Sequence, residues 1–242
     1  MLDNMHRQHG ITLIELMIAS AIGLVAIAAV LTVYAATVHH SREQLETAHL
    51  HHQLFGLLHL ISSDIRRAGY WRFDASVQAS SDNPFTTAEN RLRSQAYPDE
   101  HDNSCILFAY DLDKDGRVGI GQCNTEPCPD STDADNVEQF GFRLRNFSVQ
   151  TRYGGNGTAC DSGYWQTLNE PDIEITGLSF DILEDCTDLL NTASPCTNDR
   201  SRLIHRAVFV DLTGQLVNQP ATAMQLNRWI IVRNDALVDA PE

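Results

Sequence analysis

Positive charge is scarce in this chain: Lys plus Arg number 17 against 32 Asp plus Glu, a formal net charge of -15 at pH 7. A surface of that sign repels phosphate backbones, so direct nucleic-acid binding is not expected. Proline is absent before Pro84 and cysteine before Cys105, which leaves the first third of the chain without helix breakers or crosslinks. Catalytic signatures are missing too. There is no G-x-S-x-G, no H-E-x-x-H and no C-x-x-C. The run Gly154-Gly155-Asn156-Gly157 lacks the Lys-Ser/Thr of a phosphate loop and reads as a turn. Past residue 59 the histidines are only His101 and His205, and the acidic pairs are what a strongly acidic surface carries anyway. An enzyme is therefore not expected.

What the chain does have is a run of 28 residues, 11 to 38, in which Glu15 is the single charge. As a helix this run measures roughly 42 Å, longer than the roughly 30 Å hydrocarbon core of a bilayer. A secretory signal peptide would have a shorter apolar stretch ending at Ala19-Ser20-Ala21, whereas here the run continues 17 residues further and contains an acid. A plain anchor accounts for the length but not for Glu15, which costs about 2.5–3.5 kcal/mol at mid-helix in a membrane. Thr12-x-x-Glu15 also fits a capping box, and a carboxylate near a helix start is favoured by the macrodipole. A third reading has the chain cut after Gly10, which makes Ile11 the new terminus and Glu15 the fifth residue. The string "G ITLIELMIA" resembles the class III signal of type IV prepilins and of secretion pseudopilins. That resemblance implies cleavage after Gly10 by a prepilin peptidase, methylation of the Ile11 amine, and an assembly role for Glu15 and Thr12. Physics supports the Glu15 role independently, because a carboxylate among packed apolar helices is tolerated when a neighbouring subunit's terminal ammonium meets it. Many major pilins carry a proline where this chain has Thr32, so the family's helix kink is not expected here.

Beyond His39 the composition turns polar, yet Leu54, Leu58, Ile61, Ile65 and Ala68 recur at helical spacing. One helix is predicted over about 11–68, closed by Arg66, Arg67 and Gly69. Six histidines, at 39, 40, 49, 51, 52 and 59, crowd it; His49 and His52, three apart, could share a metal, but the set reads as a solvated surface and none is assigned as a ligand. Residues 72–103 read as a connecting loop. Strands are predicted at 105–110, 139–145, 147–153, 173–183, 203–212 and 227–232, an antiparallel set. The fold class is thus α+β, a long N-terminal helix packed on a C-terminal antiparallel head with disulfide-linked loops. Its divisions are a leader (1–10), a membrane or filament-core segment (11–38), an amphipathic helix half (39–71) and a β-rich head (72–242).

Cys105, Cys123, Cys128, Cys160, Cys186 and Cys196 all fall in the head and suit up to three disulfides in an oxidising compartment, with fifteen pairings open. In "DLDKDGRVGIGQ", Asp111, Asp113 and Asp115 occupy positions 1, 3 and 5 of a calcium loop. Gly116 takes the turn, Arg117 offers a backbone carbonyl, and Gln122 replaces the usual bidentate glutamate. The preceding CILFAY reads as a strand, which argues against a helix-loop-helix hand. Weak Ca2+ binding and a solvated acidic turn both stay open.

The strings "DIRRAGYW", "EQFGFRLRN" and "WIIVRND" resemble PilW-type minor pilins. The resemblance implies a low-abundance subunit that initiates or caps a type IV pilus and supports motility, adhesion or DNA uptake. Its implied partners are the major pilin, other minor pilins, the prepilin peptidase and the inner membrane, with a periplasmic head before assembly and a place in the pilus at the cell surface afterwards. The alternatives are a minor pseudopilin of type II secretion and a membrane-anchored adhesin or enzyme.

Overall fold

The computed structural model describes residues 11–71, 83–86, 89–114, 116–119, 137–155, 157–190, 196–197 and 199–239. The chain divides into two compact units, one through Ala48 and one from His49. Helix α1 spans Leu13–Ile65.

In the first unit the helix is an apolar rod whose large side chains face outward, among them Leu13, Ile14, Val25 and Leu31. It is long and apolar enough to cross a membrane. Its few hydroxyls bond to the helix's own carbonyls: Ser20 Oγ donates to Leu16 O at 2.8 Å, Thr32 Oγ1 to Ala29 O at 2.8 Å and Thr37 Oγ1 to Val33 O at 2.9 Å. Such internal satisfaction is what a segment deprived of water requires. With Thr32 in place of proline, the helix runs on unbroken.

In the second unit the predicted stripe is the buried one. Leu54, Leu58, Ile61, Ile65 and Ala68 are all in the core, joined by Leu50 and Leu57. The helix ends at Ile65 rather than 68. Arg67 N bonds to Asp64 O at 2.9 Å and Ala68 N to Ile65 O at 3.1 Å, so the last turn tightens before Gly69 turns left-handed at φ +74°. Of the six helix histidines, five are exposed as read, and His49 is half-buried.

Two antiparallel sheets complete this unit. The first has the order β1 (Arg93–Gln95), β2 (Cys105–Ala109), β3 (Gln139–Arg145), β4 (Ser148–Gly154) and β5 (Tyr164–Thr167). The second places β6 (Ile173–Asp188) beside β7 (Arg202–Leu216) and β7 beside β8 (Gln219–Ile231), with β9 (Ala236–Val238) also pairing β7. The reading of 72–103 as loop is corrected by β1, three residues without an apolar signal that pair with Leu107, Ile106 and Cys105. Strands β5 and β9 were likewise not predicted, being short and largely polar or edge-bound. Strand β8 begins eight residues earlier than predicted, because its first half, QPATAM, carries a proline and small residues with little strand signal and is held by β7.

Burial follows the pleat. From Arg206 onward β7 alternates strictly, with Val208, Val210 and Leu212 inward. β2 is buried on both faces: Ile106 and Phe108 join the main core, while Cys105 and Leu107 form a second cluster with Cys160, under Tyr97 and Trp165. Gly214 lets the helix come close, since a Cβ there would lie 2.8 Å from Leu54 Cδ2. The sheets are joined by backbone bonds from Ile175 N to Phe147 O (2.9 Å) and from Phe180 N to Asn103 O (3.0 Å).

Candidate functional sites at the helix start and in the head

At the helix start, Thr12 and Glu15 cap each other. Thr12 N donates to Glu15 Oε2 at 3.2 Å, Glu15 N donates to Thr12 Oγ1 at 3.3 Å, and Thr12 Oγ1 donates to the same Oε2 at 3.2 Å. This is a reciprocal capping box, and it engages Oε2 alone. Gly10 lies outside the described residues, and Ile11 is exposed.

The acidic motif in the head is built differently from a contiguous calcium loop. It follows strand β2, as CILFAY led one to expect, and curls back through the left-handed residues Lys114 and Gly116. Asp111 ties the turn, its Oδ1 accepting from Lys114 N at 2.6 Å and its Oδ2 from Gly116 N at 3.1 Å. Trp71 Nε1 donates to Gly116 O at 2.9 Å. Asp115 and Gln122 lie outside the described residues, as do Cys123 and Cys128; Arg117 sits exposed in the turn. The third carboxylate that the structure brings to Asp111 and Asp113 is Glu138, with donor oxygens within 4.8 Å of one another. Sequence reasoning missed it because it lies 25 positions after Asp113. The signal was its place immediately before β3: Ala109 pairs with Gln139, so the antiparallel register sets Glu138 opposite Tyr110, at the mouth of the loop.

Glu138 is almost wholly buried, and its oxygens accept from Leu112 N at 2.8 Å and Gly119 N at 2.9 Å. Burial lifts its carboxyl to about 7; the two backbone bonds pull the other way, and the charges of Asp113 and Asp111 add to the rise. A carboxyl whose folded pKa lies above its unfolded value binds its proton more tightly in the native state. Its favourable contribution is therefore present below the unfolded pKa near 4.3 and is lost as pH climbs to about 7. We expect the metal-free protein to lose on the order of 3 kcal/mol across that window from this group. Urea unfolding in a chelator at several pH values should show this slope in the native chain and a flatter one in Glu138→Gln.

The cysteines pair as an oxidising compartment allows: Cys105 with Cys160 and Cys186 with Cys196. Beside the first bridge, the Arg143 guanidinium lies between the Tyr97 ring (4.6 Å) and the Trp165 ring (4.2 Å) and donates to Cys160 O.

Two family models match the chain. The prokaryotic N-terminal methylation motif covers residues 5–31, and prepilin peptidase-dependent protein B covers residues 43–232, most of the chain. The protein belongs to the prepilin peptidase-dependent protein B family. It resembles an uncharacterised protein of Haemophilus influenzae, 27% identical over 149 residues, which are 52% of this chain and 63% of that relative. The chain thus spans less than two thirds of the relative's length. No solved structure matches. Membership makes this a pilin-like protein that depends on prepilin peptidase, and its apolar helix with the methylation motif is consistent with a membrane anchor. Such families are structural rather than enzymatic.

Proposed function

We propose that this chain is a minor pilin that, once cut between Gly10 and Ile11, helps initiate or cap a type IV pilus. The observation that carries this reading is the match to the methylation motif over residues 5–31, on a segment (11–38) whose large apolar side chains are exposed and whose single charge, Glu15, stands near its start. Such a surface needs lipid before assembly and neighbouring helices after it. The partners are accordingly the inner membrane, the prepilin peptidase, the major pilin and other minor pilins, with the head in the periplasm and later at the cell surface. Motility, adhesion or DNA uptake would follow from the pilus rather than from the head's own chemistry. Glu15 meets a neighbour's methylated ammonium and sets the docking register. Co-expression with a prepilin peptidase, followed by N-terminal sequencing and intact mass, should give a chain starting at methylated Ile11. A start at Ile22 or an uncut Met1 overturns the reading. Deleting the gene should then remove pili; loss of an exported enzyme with pili intact would make the protein a minor pseudopilin of type II secretion.

The same reading assigns Ca2+ to the pocket of Asp111, Asp113 and Glu138, with Asp115, the Arg117 carbonyl and Gln122 as the remaining loop positions. Three carboxylates gathered by two separate segments repel one another unless a cation offsets them. With Gln122 where a bidentate glutamate would stand, weak binding in the roughly 0.1–1 mM range of extracellular modules is expected.

A further inference from the structure

A second cluster of donors lies away from the acidic loop and was not legible in the sequence. His49 stands on α1, and Glu170 and Asp172 lie between β5 and β6. His49 Nε2 is 3.4 Å from Glu170 Oε2 and 3.2 Å from Asp172 Oδ2, and the three donor atoms lie within 4.8 Å of one another. A charge-assisted N–H···O bond is shorter, about 2.7–2.9 Å. A tetrahedral ion held at about 2.0–2.2 Å by each ligand instead sets the ligands about 3.3–3.6 Å apart. The two distances from His49 lie nearer that spacing than the length of a direct hydrogen bond.

The donors are also held in place. Pro171 stiffens the segment between the two acids. Asn169 pins its start, with Oδ1 accepting from Val149 N at 3.0 Å and Nδ2 donating to Ile173 O at 2.7 Å. Ile173 N bonds to Glu170 O at 3.1 Å, and Val217 N to Asp172 O at 3.0 Å. One helical turn past His49, Gln53 donates from Nε2 to Glu170 Oε1, the oxygen that does not face the imidazole. Orienting a ligating carboxylate through its other oxygen is what an outer-shell partner does in metal sites. His49 is 37% exposed and the acids about half exposed, so an ion can enter and water can supply a fourth ligand.

We propose that His49 Nε2, Glu170 Oε2 and Asp172 Oδ2 form a site for a divalent transition ion of the zinc type. One imidazole with two carboxylates is a borderline set that favours such an ion over calcium, which prefers oxygen alone. The ion would staple the helix turn 49–53 to the β5–β6 connection. This does not rest on the pilus reading.

The test is calorimetric titration of Zn2+ into the full-length chain in detergent, stripped with a chelator and supplied with about 1 mM Ca2+ to fill the acidic pocket. One zinc should bind per chain. His49→Gln and Asp172→Asn should each weaken it at least tenfold, Gln53→Ala about tenfold, and His52→Gln should leave it unchanged. Zinc should raise the thermal midpoint of the native chain and not that of Asp172→Asn, a readout that survives if His49→Gln fails to fold. No zinc binding by the native chain, equal binding by native and both ligand variants, or binding lost in His52→Gln overturns the proposal.

Discussion

Glu15→Gln should leave cleavage after Gly10 intact and still empty the pilus of this subunit. The variant separates the cap that the structure shows from the docking role proposed for the same side chain. Glutamine serves a capping box as well as glutamate does, so the bonds with Thr12 survive and the helix start holds. What disappears is the charge. In an assembled bundle of apolar helices the neighbour's ammonium would then be buried without an anion. Removing one partner of such a pair costs about 3–5 kcal/mol, which is a hundredfold to several-thousandfold loss in docking. Thr12→Ala is the complementary variant: it removes the hydroxyl from the cap at about 1 kcal/mol and keeps the charge. It should assemble nearly normally. The measurement is the ratio of processed subunit in sheared pili to that in membranes. Native-like recovery of Glu15→Gln would leave Glu15 as a cap and nothing more.

What could be read in advance divides along the range of the forces involved. The buried stripe from Leu54 to Ala68 and the end signal at Gly69 are local, periodic features of a helix. Strand β3 was predicted at its observed bounds because QFGFRLR is apolar and aromatic enough to announce itself. Strands β1, β5 and β9 announce nothing: each is three or four residues long and owes its extended form to the neighbour it pairs with. The same distinction runs through the sites. Asp111 and Asp113 are visible as alternate acids in a turn, but Glu138 reaches them only through the β2–β3 register. His49 was one of six histidines, and its spacing to His52 does not mark Glu170 and Asp172 as its neighbours. Only the packing of α1 beside 169–172 does.

The second large effect should come from the bridge between Cys105 and Cys160. Their sequence separation is 55, and a loop of that size gives about 4 kcal/mol in the chain-entropy account at 25 °C. Cys186 and Cys196 are only 10 apart, for which the same account gives about 3 kcal/mol. Position widens that gap. Cys105 and Cys160 are both buried, and the bridge fixes the carbonyl to which Arg143 donates while its guanidinium stacks between Tyr97 and Trp165. Cys105→Ala with Cys160→Ala should therefore lose about 4–5 kcal/mol in urea unfolding under oxidising conditions, more than the Cys186→Ala and Cys196→Ala pair. A loss below about 1 kcal/mol would assign the hold on this loop to Arg152, whose buried guanidinium donates to the carbonyls of Gly155 and Gly157 and spans the same turn without a covalent bond. Arg152→Met in the bridge-free chain would then unfold it, because each of the two fasteners covers the loop that the other leaves.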